Sequence, residues 1–248
     1  DWTMPEEINR RVVDNISQLL FAPTSYAVSN LKNEGVEEKR IHNVGNIMIN
    51  CLIDNMKQIG SSACPEAFNL TRKDYAVMTA HRPSNVDSLE ELKKLAGIMD
   101  IIQRRVKLIY PMHPRAKKNF SKAGLMDHLN GMKNLLLVPP VKYHDFVRLM
   151  KDSLFVMTDS GGIQEETTFL KVPCVTLRYN TERILTLREG TNTLMGLEAS
   201  KIEEYVDKLL HDDAFYKSIV DVKTPRFWDD QVSRRIVDVL EKSDLSLP

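Results

Sequence analysis

"LFVMTDSGGIQEE", Leu154 to Glu166, decides how the chain is read. Leu154 to Met157 form an apolar run too short for a helix and suited to a strand buried on both faces. A polar hinge follows, and the paired glycines Gly161 and Gly162 open a stretch that can be helical. A strand, a glycine turn and a helix in that order expose the first backbone N–H groups of the helix at the positive end of its dipole. The turn therefore suits an anion, and Ser160 adds a hydroxyl donor. Glu165 and Glu166 lie further into the helix. Carboxylates favour the first turns of a helix electrostatically, and Glu166 stands at a distance that also suits the hydroxyls of a ribose.

Outward from this unit the pattern repeats. Tyr75–Thr79, Val106–Tyr110, Leu135–Val138, Leu154–Thr158 and Cys174–Leu177 read as strands, continuous in apolar character rather than alternating. Between them lie helical periodicities. Leu89, Leu92, Leu95, Met99 and Ile102 make one stripe, with Asp87 or Ser88 as its N-cap. Phe146, Leu149 and Met150 belong to another. Alternating strands and helices predict an α/β fold with a parallel, doubly wound sheet. The first sixty residues are different. Helices are expected over Glu6–Leu19, Tyr26–Glu34 and Asn46–Gln58, with strands at Leu20–Ala22 and Ile41–Val44. That is too little for a free-standing α/β domain and reads as the second half of one. The expected organisation is residues 1–60 as that half domain, 61–73 as a linker, 74–225 as a complete Rossmann-like domain, and 226–248 as a C-terminal helix returning toward the first.

Composition bounds the function. The chain has 248 residues, and its 34 basic and 34 acidic residues cancel, which argues against a nucleic-acid binder. No apolar run reaches the ~18–20 residues of a membrane span. The three cysteines, Cys51, Cys64 and Cys174, fit no metal or redox spacing, so no metal is expected and the thiols read as reduced and cytoplasmic.

In open parallel sheets, ligands bind beyond the C-terminal ends of the strands. Three such ends carry groups suited to an anion: His81 and Arg82 in "TAHRPSN", His113 and Arg115 in "PMHPR", and the glycine turn itself. A lone histidine there is commonly a loop residue without a role. Several converging groups make a site.

"PEEINRR" from Pro5, "TAHRPSN" from Thr79, "TDSGGIQEE" from Thr158 and "LRYNTER" from Leu177 resemble the non-hydrolysing UDP-N-acetylglucosamine 2-epimerases, in the same order and over nearly the whole chain. The resemblance implies a glycosyltransferase-B-like architecture. It also implies interconversion of UDP-GlcNAc and UDP-ManNAc by anti elimination of UDP through 2-acetamidoglucal and re-addition, with no cofactor. Carried over by motif, Glu6 and His81 are implied as catalytic. Arg10, Phe146, Ser160, Gly161, Gly162, Glu166 and Arg183 are implied to bind the UDP-sugar, and Arg82 and His113 to hold a second, activating substrate molecule. Implied partners are UDP-GlcNAc, UDP-ManNAc and UDP, with no nucleic acid or membrane. The family's "GTRPE" turn and "HVEAG" glutamate are absent from this stretch. The expectation is therefore the C-terminal two-thirds of such an enzyme, inactive by itself and either homodimeric or completed by the missing N-terminal segment. A UDP-sugar-binding remnant is the alternative, and a glycosyltransferase of the same architecture a weaker one. Ser84, Ile184 and "RFWDDQVSRRI" depart from the family's pattern.

Overall fold

The structure, a computed structural model, describes residues 5–243. Residues 1–4 and 244–248, the outer ends of the first and last expected segments, lie outside the described residues. The chain divides into two compact units, Asp1–Asp54 with Pro225–Pro248, and Asn55–Thr224. The division falls ahead of Gly60, between Asp54 and Asn55.

The first unit starts with helix α1 (Pro5–Ile16), strand β1 (Leu20–Ala22), α2 (Ser25–Asn33), β2 (Ile41–Asn43) and α3 (Ile47–Asp54). β1 and β2 pair in parallel, with Phe21 opposite His42, across the α2 crossover. Leu20, Ala22, Leu31 and Val36 form its small core. Thr24 caps α2 by accepting from the Ala27 N–H at 3.1 Å. No residue of α1 is buried. Charge anchors it instead: the Arg40 guanidinium donates to the carbonyls of Asp14, Asn15 and Ser17 at its C-terminal end, where a cation complements the dipole. The unit's last helix, Val232–Lys242, is held through Arg235, which donates to the Val44 carbonyl at 2.8 Å. Within "RFWDDQVSRRI", Trp228 is buried and Phe227 adopts φ +64°. Gly45, at φ +94°, lies so close to the Phe227 carbonyl that a Cβ would overlap it.

The second unit runs α4 (Met56–Ser61), α5 (Cys64–Ala67), β3 (Tyr75–Thr79), α6 (Pro83–Val86), α7 (Leu89–Gln103), β4 (Lys107–Pro111), α8 (Pro114–Lys122), α9 (Met126–Asn130), β5 (Leu135–Val138), α10 (Tyr143–Asp152), β6 (Phe155–Thr158), α11 (Gly161–Leu170), β7 (Cys174–Thr176), α12 (Ile184–Arg188), β8 (Asn192–Leu194), α13 (Ala199–His211) and α14 (Asp213–Val220). Three departures from expectation stand out. The helix expected over Asn46–Gln58 breaks at Asn55 into α3 and α4, and α5 occupies part of the stretch expected as a linker. A sixth strand, β8, joins the five expected.

The six strands are all parallel, in the order β5-β4-β3-β6-β7-β8. Side chains alternate between two covered faces, which explains the continuous apolar runs. Ala76, Met78, Leu108, Tyr110, Phe155 and Met157 share one core with Leu95, Met99 and Ile102 of α7 and Val206 of α13. Tyr75 points the other way and its hydroxyl donates to the Leu149 carbonyl of α10 at 2.7 Å. The chain moves from β3 outward to β4 and β5, then returns to the opposite side of β3 with β6. The strand order thus reverses between β3 and β6, the place where doubly wound sheets open a crevice for ligands. Ser88 is the N-cap of α7 and accepts from Glu91 N–H. Asp87 bonds Arg115 and Asn119 instead.

Candidate functional site

The site residues of the second unit gather at this reversal. Parallel pairing sets Thr79 beside Thr158, so the loops after β3 and β6 leave the sheet side by side. Asp159 joins them. It is fully buried. Its Oδ2 accepts from the backbone N–H groups of His81 and Arg82, each at 2.9 Å, and from Asn85 Nδ2 at 3.1 Å. Its Oδ1 lies 2.9 Å from His81 Nδ1. Burial pushes the Asp159 carboxyl up, but the His81 ring and the two amides outweigh it and hold the group below the usual carboxylate range. In return Arg82 Nε donates to the Asp159 carbonyl at 2.9 Å. His81 is 40% exposed, and the His113 ring stands 5.6 Å from it, centroid to centroid. His113 also caps α8, its Nδ1 accepting from Arg115 N–H.

The glycine turn follows. Ser160 is the N-cap of α11 without spending its side chain on the cap. Gly161 is buried, and the Glu182 carboxylate sits over it: a Cβ there would stand 2.5 Å from Glu182 Oε1. Three guanidiniums surround that carboxylate. Arg178 Nη1 lies 2.9 Å away, Arg183 Nε 3.7 Å and Arg82 Nη2 3.8 Å. Burial pushes the Glu182 pKa up, yet its own backbone N–H and Arg178 bring it below the usual range. A carboxylate thus rests where sequence reasoning places a phosphate. Arg183 also donates to buried Glu165 at 3.0 Å. Glu165 is therefore more than a favourable helix charge, because it aims Arg183.

Glu166 is 5% exposed. Burial above all, with some repulsion from Glu165, pushes its pKa up to about 7, against the hydrogen bond from Tyr143. That bond runs from the Tyr143 hydroxyl to Glu166 Oε1 at 3.0 Å. Phe146 lies on the same helix, α10, one turn on. Glu6 and Arg10 belong to α1 of the other unit. Glu6 is exposed. Arg10 bonds Glu7, Asp14 and Glu34.

Asp159, Glu182, Tyr143 and Arg178 are the site's unanticipated members. Asp159, Glu182 and Arg178 lie inside motifs already singled out, "TDSGGIQEE" and "LRYNTER"; what marks them is proximity in the folded sheet, which a linear pattern does not carry. Among the described residues no cluster of His, Cys, Asp or Glu could hold a metal, and no helix is long and apolar enough to cross a membrane.

A family model described as UDP-N-acetylglucosamine 2-epimerase matches residues 1–241. The UDP-N-acetylglucosamine 2-epimerase of Methanocaldococcus jannaschii is 41% identical over 223 residues, covering 88% of this chain and 61% of that protein. A homolog from Methanococcus maripaludis is 39% identical, covering 97% and 65%. Among solved structures, the M. jannaschii UDP-GlcNAc 2-epimerase in complex with UDP-GlcNAc and UDP superposes with a TM-score of 0.87 at 39% identity, covering 98% of this chain and 66% of that one. The chain spans less than two-thirds of the length of the curated relatives it matches.

Proposed function

The chain belongs to the UDP-N-acetylglucosamine 2-epimerase family, and from that premise we propose that its second unit binds the UDP moiety of a UDP-sugar. The protein it forms would interconvert UDP-GlcNAc and UDP-ManNAc. The observation that carries the proposal is the glycine turn at the strand reversal, with arginines converging on its first helical turn and Glu166 behind it. The diphosphate takes the helix N-terminus and the guanidiniums of Arg178 and Arg183. The ribose hydroxyls donate to Glu166, and Phe146 lies toward the uracil. In the reaction the C2 proton is removed and UDP departs from C1 on the opposite face, leaving 2-acetamidoglucal. UDP then adds back to C1 as C2 is protonated on its other face. Carbon oxidation states balance, so no redox cofactor is called for. Glu6 and His81 are the proposed acid–base groups, with Arg10 as a further sugar-binding group. Arg82 and His113 are proposed to hold an activating second UDP-sugar. Nucleotide-sugar chemistry implies a cytoplasmic protein. The exposed apolar residues of α1 fit assembly as a homodimer.

Two measurements test this. Calorimetry should show UDP binding, with Glu166→Ala costing ~1–3 kcal/mol through lost charge-assisted hydrogen bonds; equal affinities would remove the ribose assignment. Incubation with UDP-GlcNAc in deuterium oxide tests the chemistry, since epimerisation exchanges the C2 proton. A second reading, UDP-sugar binding without epimerisation, is favoured by the pairing of the buried carboxylates: Glu165 with Arg183, Glu166 with Tyr143. Deuterium at C2, abolished by Glu6→Gln, would decide for the enzyme; none is expected from these 248 residues by themselves, so the binder is decided only by its absence in a protein that spans the full length of the curated relatives and still binds UDP.

A further inference from the structure

We propose that Asp159 is the positioning residue of this site: it fixes His81 as the tautomer with its proton on Nδ1, so that Nε2 is the atom offered to the ligand. The groups that hydrogen-bond the Asp159 carboxylate are all donors to it. Two backbone N–H groups and Asn85 Nδ2 converge on Oδ2, which holds the carboxylate plane and leaves Oδ1 buried, without any other donor, 2.9 Å from His81 Nδ1. A carboxylate has no proton to give, so the nitrogen beside it must be the one that carries the hydrogen. Asp159 is fully buried, so water cannot take over that role. The His81 ring is partly exposed and its Nδ1 lies against that otherwise unsatisfied oxygen, which leaves Nε2 for whatever occupies the crevice. Other charged or titratable groups about His81 are Arg82, its neighbour in the chain, the His113 ring at 5.6 Å and Tyr110, whose hydroxyl donates to the Ala80 carbonyl. None of these has a hydrogen bond to Nδ1. The register of β3 and β6 makes the arrangement possible, because Thr79 and Thr158 are partners and their next residues leave the sheet together. Asp159 thereby ties both loops of the reversal point, and its backbone carbonyl also holds Arg82 Nε.

The chemical consequence depends on the charge of the ring. Neutral His81 presents a lone pair at Nε2 and can take a proton from a ligand. Protonated, it presents an N–H to an anionic oxygen, with Asp159 balancing the imidazolium from behind. Asp159→Asn separates positioning from mere filling of space. The Asn carbonyl can still receive the three donors, which turns its NH2 toward Nδ1. That group needs an acceptor, so the proton moves to Nε2 and the tautomer inverts.

The test is 15N NMR of histidine-labelled protein, with His81 assigned by its loss in His81→Gln, at a pH where the ring is neutral. The wild type should show a protonated Nδ1 and an unprotonated Nε2, and Asp159→Asn should exchange the two. A wild-type ring that carries its proton on Nε2, or a tautomer unchanged by Asp159→Asn, overturns the proposal. The wild-type spectrum decides by itself should the variant fail to fold. That the crevice ligand is a nucleotide diphosphate rests on the function proposed above. UDP is therefore added last: a shift at Nε2 supports Nε2 as the ligand-facing atom. A fixed Nδ1–H tautomer in a protein that binds no UDP would sink the nucleotide reading alone.

Discussion

The carboxylate of Glu182 lies over Gly161, with Oε1 2.5 Å from the place a Cβ would take. It occupies the positive end of α11 and pairs with Arg178, while Arg82 and Arg183 stand close by. A ligand phosphate bound at this turn must move it. Glu182 is thus a tethered competitor, and Glu182→Gln should bind UDP more tightly. Glu182 is half-exposed although Arg178 is buried, and removing competition from a carboxylate that open is worth about 0.5–1 kcal/mol, so the gain should be roughly two- to fivefold. Affinity for uridine, which has no phosphate, should not change. Weaker UDP binding by the variant in calorimetry would mean that Glu182 serves chiefly to aim the guanidiniums.

Gly161→Ala separates folding from binding at the same turn. The atom an added methyl would meet is the flexible end of Glu182, with Arg183 Nε next at 3.3 Å. Both can swing away, and Ala is the better helix former by up to ~1 kcal/mol. Thermal stability should therefore stay within about 0.5 kcal/mol of the wild type. The methyl would remain in the path of a phosphate approaching the first turn, so UDP affinity should fall about tenfold or more. An alanine variant that binds UDP as tightly as the wild type would place the diphosphate elsewhere.

Glu166 carries a pH signature. Its pKa is pushed from 4.5 up to about 7, first by burial. Below pH 4.5 the group is protonated in both the folded and unfolded chain and costs nothing. Between 4.5 and about 7 the unfolded chain releases its proton first, so stability falls as pH rises, and above 7 the loss levels off at up to ~3 kcal/mol. Gln can keep the hydrogen bond from Tyr143 without ionising. Urea unfolding should therefore show Glu166→Gln gaining on the wild type between pH 4 and pH 8. Parallel pH curves for the two proteins would show that Glu166 ionises in the fold as it does in water.

Much of this molecule was legible in its sequence where the signal was a continuous apolar run. The five strands from Tyr75 onward are of that kind, and each falls within a residue of its expected bounds. β8 was not legible, because Asn-Thr-Leu carries no such run. Its Asn192 side chain donates to the Gln164 carbonyl and its Thr193 hydroxyl to Tyr205, contacts that exist only once the sheet has formed. The break between α3 and α4 was likewise hidden, since Asn55 interrupts an apolar periodicity and has its partner, His144, far along the chain at 2.8 Å. At the site, glycines and charged residues announced an anion turn. The partners that hold them, Asp159 for His81 and Glu165 for Arg183, follow from strand register and helix phase.

The apolar face of α1 gives the last prediction. Ile8, Val12, Val13 and Ile16 are 50%, 57%, 54% and 78% exposed. Leu52, in α3 of the same unit, is fully buried. If α1 is held as the structure shows it, by Glu7, Asp14 and Glu34 about Arg10 and by Arg40 at its end, its apolar residues contribute little to the stability of the single chain. Ile16→Asn should then cost under about 0.5 kcal/mol, as substitutions at open surfaces do. Leu52→Ala should cost ~2–5 kcal/mol through lost burial and the cavity left behind. Urea unfolding of dilute protein measures both. A cost for Ile16→Asn that rivals Leu52→Ala would mean that the face is covered in solution, because burying such a side chain is worth ~1.5–3 kcal/mol. Repeating the measurement over a range of protein concentrations would then identify the cover. A cost that grows with concentration belongs to a second copy of the chain, and one that stays constant belongs to the chain itself.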